Sequence, residues 1–171
     1  EMDSVCKQKE HLSPTPSQPL KGLRIALDPG HIGGNMAMAR IERKYISMKP
    51  DSIKHPNEKI ELIEGKLTLA TALFLKKQLE DSGATVFLTH NKPNVSAFGC
   101  TFDEWCKKNL SHAIDSLLKE GSITSKQKTH LLGNATQKDI FSLIFRDIEL
   151  KERARIINDF HPDITLVIHY N

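Results

Sequence analysis

Three side chains able to bind a metal stand far apart in this 171-residue chain: His31, Glu64 and His169. Two imidazoles and one carboxylate match the ligand set of a catalytic zinc centre, which takes three protein ligands and leaves a fourth position open. A zinc ion in such a site lowers the pKa of its bound water to about 7 and polarises a substrate carbonyl. Asp28 and Asn171 stand close to the two histidines in sequence, placed to orient an imidazole or a substrate group. The spacing is not a compact signature such as H-E-x-x-H. Residue types alone therefore also fit a histidine in an ordinary loop and a carboxylate favoured by a helix start.

The elements around these residues bring them to one place. The apolar run from Leu23 to Leu27 reads as a buried strand that breaks at Asp28-Pro29-Gly30, leaving His31 on the first loop. Residues 35–57 lack a clean period and read as a long loop with a short helix around Arg40–Tyr45. Ile63, Leu67, Leu69, Ala70, Leu73, Phe74 and Leu79 mark an amphipathic helix over about 59–81, with Glu64 in its first turns. Ser82-Gly83 stops it, and Ala84–Thr89 follows as a second strand, completing a βαβ unit with parallel strands. A last β-branched run, Ile164–Ile168, reads as a buried strand and delivers His169. Ligands of open α/β sheets bind outside the carboxyl ends of the strands, and all three candidates arrive at that edge.

Between the second and last strands, residues from about 91 to 135 look inserted. Thr101 and Glu104 form a capping box opening a helix through Leu118, and a smaller helix covers Lys126–Leu132. Thr136 caps a long helix to about Phe160, on which Arg153 is expected to tie the helix to a carboxylate. The fold class is thus α/β: a mixed, mainly parallel sheet flanked by helices, with a helical insertion. Residues 1–20, with Ser13-Pro-Thr-Pro-Ser-Gln-Pro19, read as a Pro-rich linker or tail, and 21–171 as one domain. A buried parallel strand ending three residues before Asn171 further predicts a domain that continues past Asn171.

Composition narrows the class. A net charge of +3 carries no clustered basic face of the kind nucleic acid requires, and supports at most a weak preference for an anionic polymer. No apolar run reaches membrane-spanning length. Of three cysteines, Cys100 and Cys106 stand close enough to bridge, but nothing compels it. Histidines outside the candidate site read as surface or cap residues, with His55 and His90 the ones placed to meet a substrate.

The run Leu27-Asp-Pro-Gly-His-Ile-Gly-Gly34 resembles the opening motif of the zinc-dependent N-acetylmuramoyl-L-alanine amidases of the amidase-3 type. Glu64-Gly-Lys-Leu-Thr-Leu-Ala with Gly83–His90 is similar to that family's second block, and Leu150–Arg153, Asn158 and Ile168–Asn171 to its third. The resemblance implies His31, Glu64 and His169 as zinc ligands. It also implies hydrolysis of the amide between N-acetylmuramic acid and L-alanine in peptidoglycan, in the cell envelope, periplasmic or secreted. The chain departs from the pattern at Ile32, which separates His31 from the glycine pair, at His90, where arginine is common, and in the long segment 91–135. The family's catalytic glutamate falls beyond residue 171, so the general base is not identified; Glu58 and Glu61 read as solvated carboxylates. By the same resemblance, the stretch Phe102–Leu118 is a lid or a docking face for an activator protein, or else an extra helix packed on the domain edge.

Two other readings compete. One is a non-catalytic peptidoglycan-binding or regulatory module that keeps the fold without the general base. The other, a dinucleotide- or phosphate-binding domain, fails because no G-x-G-x-x-G follows the first strand and no helix starts directly after its glycines.

Overall fold

The computed structural model describes residues 14–48 and 60–170. Most of the segment 1–20, together with His55, Glu58 and Asn171, lies outside the described residues. Strand β1 (Arg24–Pro29) is the centre of a three-stranded sheet, flanked by β4 (Thr85–Leu88) and β5 (Ile164–Ile168), with both pairings parallel. Alternation along β1 distributes its side chains. Ile25 and Leu27 enter an apolar cluster with Ala84, Val86, Leu75 and Leu79 beneath helix α2 (Glu64–Asp81). Asp28, one residue out of phase with Leu27, meets Arg153 of helix α6 (Arg146–Phe160). The α/β class with a mainly parallel sheet is as expected from the strand–helix–strand pattern.

Several local differences have physical causes. β1 runs through Asp28 and Pro29 instead of breaking there, because the strand direction is kept by pairing with β5 up to Pro29↔Ile168. The expected loop 35–57 contains helix α1 (Met36–Glu42), capped by the Asn35 side chain, and strand β2 (Tyr45–Met48). β2 pairs antiparallel with β3 (Ile60–Ile63), so α2 begins at Glu64 and not near residue 59. α2 also presents a different face than expected. Glu64, Gly65, Thr68, Leu69 and Ala72 are its buried residues, whereas Leu67, Leu73 and Phe74 are exposed. Apolar residues lie on so much of this helix that periodicity does not choose the face; close approach to β1 through small side chains does.

β5 is not the buried strand its composition predicts. Ile164, Leu166 and Val167 are exposed, because among the described residues β5 has a neighbour only on its β1 side. No helix among the described residues is long and apolar enough to cross a membrane.

The inserted segment forms α3 (Phe102–Lys119) behind the expected Thr101–Glu104 capping box, then α4 (Ser125–Gly133) and α5 (Gln137–Ile140). A π-helical turn, Phe141–Phe145, joins α5 to α6, so the predicted long helix is one helical run with a wider turn inside it. These helices have a core of their own: Phe102, Trp105, Ile114, Leu131, Phe141, Ile144 and Phe145, into which Ile32 and Met38 also project. Phe145 lies against the rings of Phe98, Phe102, Trp105 and Phe141. Phe145→Ala is expected to destabilise the protein by about 3–5 kcal/mol, read as a lower urea midpoint; a midpoint equal to wild type would show that this cluster does not hold the insertion.

Candidate metal centre

His31, Glu64 and His169 converge at the carboxyl edge of the sheet, each offering a ligand atom within 4.8 Å of the others. His31 Nε2 lies 3.5 Å and His169 Nδ1 3.1 Å from Glu64 Oε1. Four ligands about 2.0–2.1 Å from zinc in a tetrahedron stand about 3.3 Å apart, so the set has the right scale. His31 Nε2 is buried yet makes no hydrogen bond, which leaves its lone pair available to a metal. The residues fit a divalent transition metal such as zinc.

Each of the three candidate side chains is placed by a separate device. Glu64 is the first residue of α2, directly after the β2–β3 ribbon; its N–H donates to the Lys44 carbonyl and Lys44 Nζ lies 3.3 Å from Oε2. His169 follows β5, where Gly30 N–H donates to the Ile168 carbonyl at 2.8 Å. A Cβ on Gly30 would overlap the His169 ring, so a residue with a side chain there would displace the imidazole. Gly65 serves α2 in the same way: its Cβ would come within 2.7 Å of the Gly33 carbonyl oxygen. Thr68 Oγ1 then closes the helix onto the Gly30 carbonyl at 2.5 Å.

His31 sits at φ 62°, a left-handed conformation that costs an L-residue about 1–2 kcal/mol. Its surroundings hold it there. Glu42 accepts the Ile32 and Gly33 N–H groups at 3.0 and 2.8 Å, and Asn94 Oδ1 accepts that of Gly34 at 2.8 Å. His90 lies against the His31 backbone. His90 is therefore not a surface residue: it is 5% exposed, packed behind the loop.

Electrostatics follow burial. Desolvation holds the His31 imidazole down to about 4 against the pull of Glu64, so it is neutral and able to ligate. Burial pushes Glu64 up, but His169, the Tyr170 N–H and His31 outweigh it, and the carboxyl lies below its ordinary value. Burial raises Glu42 to about 7 in spite of its two backbone donors. Asp28 accepts from Thr89 Oγ1 at 2.6 Å and Arg153 Nη1 at 2.8 Å, while Arg153 Nε bonds Glu149 at 2.7 Å. Arg153 thus ties α6 to β1, as its position on the long helix led us to expect.

A cleft of about 410 Å³ opens beside the three residues. His31 and His169 line it on one side, Phe141, Phe145 and Leu150 on the other. Phe102 and Trp105 of α3 point into the insertion core and do not line it, so α3 packs on the domain edge and the π-helical turn forms the wall. Cys100 and Cys106 are free thiols, and half-burial pushes Cys106 up to about 11. Glu42, Lys44 and Asn94 were not singled out from the sequence. Nothing in their spacing marks them, because each reaches the site through a loop or a helix end.

Two outcomes test this geometry. Gly30→Ala should lower zinc stoichiometry in the purified protein by expelling His169; full occupancy would show that the ring tolerates the methyl group. His90 titrates near 4 through burial, with Arg153 adding to the effect, against an ordinary 6.5. Unfolded chains take up that proton first as pH falls, so the contribution of His90 is present above pH 6.5 and lost toward pH 4. Metal-free wild type should lose up to about 3 kcal/mol more than His90→Gln between pH 7 and 4 in urea unfolding. Parallel pH profiles would contradict this.

No curated protein and no solved structure matches the chain at a significant level. The model of one family, described as N-acetylmuramoyl-L-alanine amidase, matches residues 25–171, from the first sheet strand to the residue after Tyr170. Its match spans all three strands of the parallel sheet and all three converging side chains, and on that extent the chain belongs to the N-acetylmuramoyl-L-alanine amidase family.

Proposed function

We propose that this protein is a zinc-dependent amidase that cleaves the bond between N-acetylmuramic acid and L-alanine in peptidoglycan. The observation that carries the reading is the meeting of His31, Glu64 and His169, with an unpaired buried His31 Nε2, inside a chain of this family. Zinc held by these residues would polarise the scissile carbonyl and acidify a bound water. The chain's own groups supply the rest. Lys44 beside Glu64 and the Tyr170 N–H on Glu64 Oε1 keep that carboxylate ionised and oriented. Tyr170 OH, 2.6 Å from Thr71 Oγ1, fixes the segment after β5 against α2. Phe141 and Phe145 give the cleft an apolar wall that limits water, and Arg43, Lys138 and Arg146 line it with cations suited to an anionic wall polymer.

Asp28 belongs to this reading as a support of the His31 loop through β1, and Asn171 as the residue following the ligand strand. The substrate places the protein outside the cytoplasmic membrane, periplasmic or secreted. An activator protein bound to the helical insertion would reach the cleft through Phe141 and Phe145, which belong both to the insertion core and to the cleft wall.

A second reading, a peptidoglycan-binding or regulatory module without turnover, is favoured by one observation. Among the described residues, every acid lining the cleft is engaged: Asp28 with Thr89 and Arg153, Glu42 with two backbone N–H groups, Glu149 with Arg153 and Ala97. None is free to act as general base, a role worth ~10²–10⁴-fold. Incubation with purified peptidoglycan decides between them. Release of stem peptides that a chelator abolishes, zinc restores and His169→Ala eliminates is expected for the amidase. Sedimentation with peptidoglycan without any release would establish the binding module instead.

A further inference from the structure

We propose that Glu42 is a positioning residue for His31, a carboxyl group set behind the imidazole that fixes the backbone carrying this metal-binding side chain and thereby the ring. The inference rests on reading His31, Glu64 and His169 as ligands and names what holds the first of them. Glu42 ends α1, and its side chain is 2% exposed. Oε1 and Oε2 accept the consecutive N–H groups of Ile32 and Gly33, and Oε1 lies 3.9 Å from His31 Nδ1. The other nitrogen of the same ring, Nε2, faces Glu64 at 3.5 Å. The imidazole therefore stands between two carboxylates, one on the metal side and one behind. At 3.9 Å the Glu42 carboxylate is beyond hydrogen-bond distance of Nδ1, so it positions the ring through the two N–H groups of the loop that carries it.

The backbone contacts explain why an acid is needed. His31 is in the left-handed region, which persists in a non-glycine residue only when the surroundings over-determine it. Two N–H groups in succession, both directed at one carboxylate, leave the loop a single arrangement. An amide at position 42 offers one acceptor oxygen and places an NH₂ group against the second N–H. Gly33 has no room for a side chain either, since a Cβ there would lie 2.5 Å from Glu42 Oε2. On the other side of the loop, Asn94 N–H donates to the Ile32 carbonyl at 2.8 Å and the Ile32 side chain is locked into the insertion core. Glu42 is thus the polar half of a clasp whose apolar half is Ile32.

Zinc affinity of the full chain, measured by competition with a chromophoric chelator, tests the proposal, with the visible spectrum of the cobalt(II)-loaded protein and circular dichroism alongside. Glu42→Gln is expected to keep its far-ultraviolet spectrum, bind zinc about 10–100-fold more weakly and show altered cobalt bands. Glu42→Asp, which keeps the charge but shortens the reach, should fall between it and wild type. Zinc affinity and cobalt bands equal to wild type in a folded Glu42→Gln, with stability alone reduced, would make Glu42 a purely structural residue and overturn the proposal. Should Glu42→Gln not fold, Glu42→Asp decides in the same way: weaker zinc binding supports the role, unchanged binding ends it. Glu64→Ala separates the two levels. Loss of zinc there with normal binding by Glu42→Gln removes only the present inference. Failure of wild type to bind zinc removes the ligand reading and this inference with it.

Discussion

The parallel register between β1 and β5 is the constraint on which the site depends. Pro29 is paired with Ile168, so the residues that follow each strand, Gly30 and His169, are neighbours by construction. A slip of one residue would turn His169 to the opposite face of the sheet, since side chains alternate with period two. The absence of a side chain at Gly30 then lets the imidazole lie across β1, where it meets Glu64. A contact between residues more than a hundred positions apart is thereby reduced to a ladder of backbone hydrogen bonds and one missing methyl group.

Behind that edge the protein stores an unusual amount of buried charge. Arg153, 4% exposed, bonds Asp28, the Pro29 carbonyl and Glu149. Such a set contributes little net stability compared with apolar packing, but removing one member strands the others and costs about 3–5 kcal/mol. Its value here is geometric: it fixes the carboxyl end of β1 in angle and depth against α6, while α2 fixes it from the opposite face through Thr68 and Gly65. His90, buried and neutral, packs behind the loop at the strand's end.

The helical insertion is joined to this edge and does not hang from it as a separate appendage. Ile32, next to His31, is 2% exposed inside the insertion core, and Phe141 and Phe145 are shared between that core and the cleft wall. The loop that carries His31 is consequently pinned by two packed bodies at once, the sheet layer and the insertion. Its left-handed backbone is the visible strain of that double attachment.

Much of this was legible in the residues alone. The strand–helix–strand unit, the capping box of α3, the strand delivering His169 and the three metal-capable side chains all follow from local signals: periodicity, N-cap chemistry and the Pro-Gly after the first strand. Other features were not legible. The β2–β3 ribbon has too short a pattern to separate from a loop, and α2 is apolar over too much of its surface to reveal the face it buries. Glu42, Lys44, Asn94 and His90 carry no signature, because their roles depend on groups they meet only after the chain has folded. Local sequence determined which side chains could ligate and on which elements they ride. Tertiary structure alone decided how they are held, since the forces that orient His31 come from four segments brought together by long-range packing.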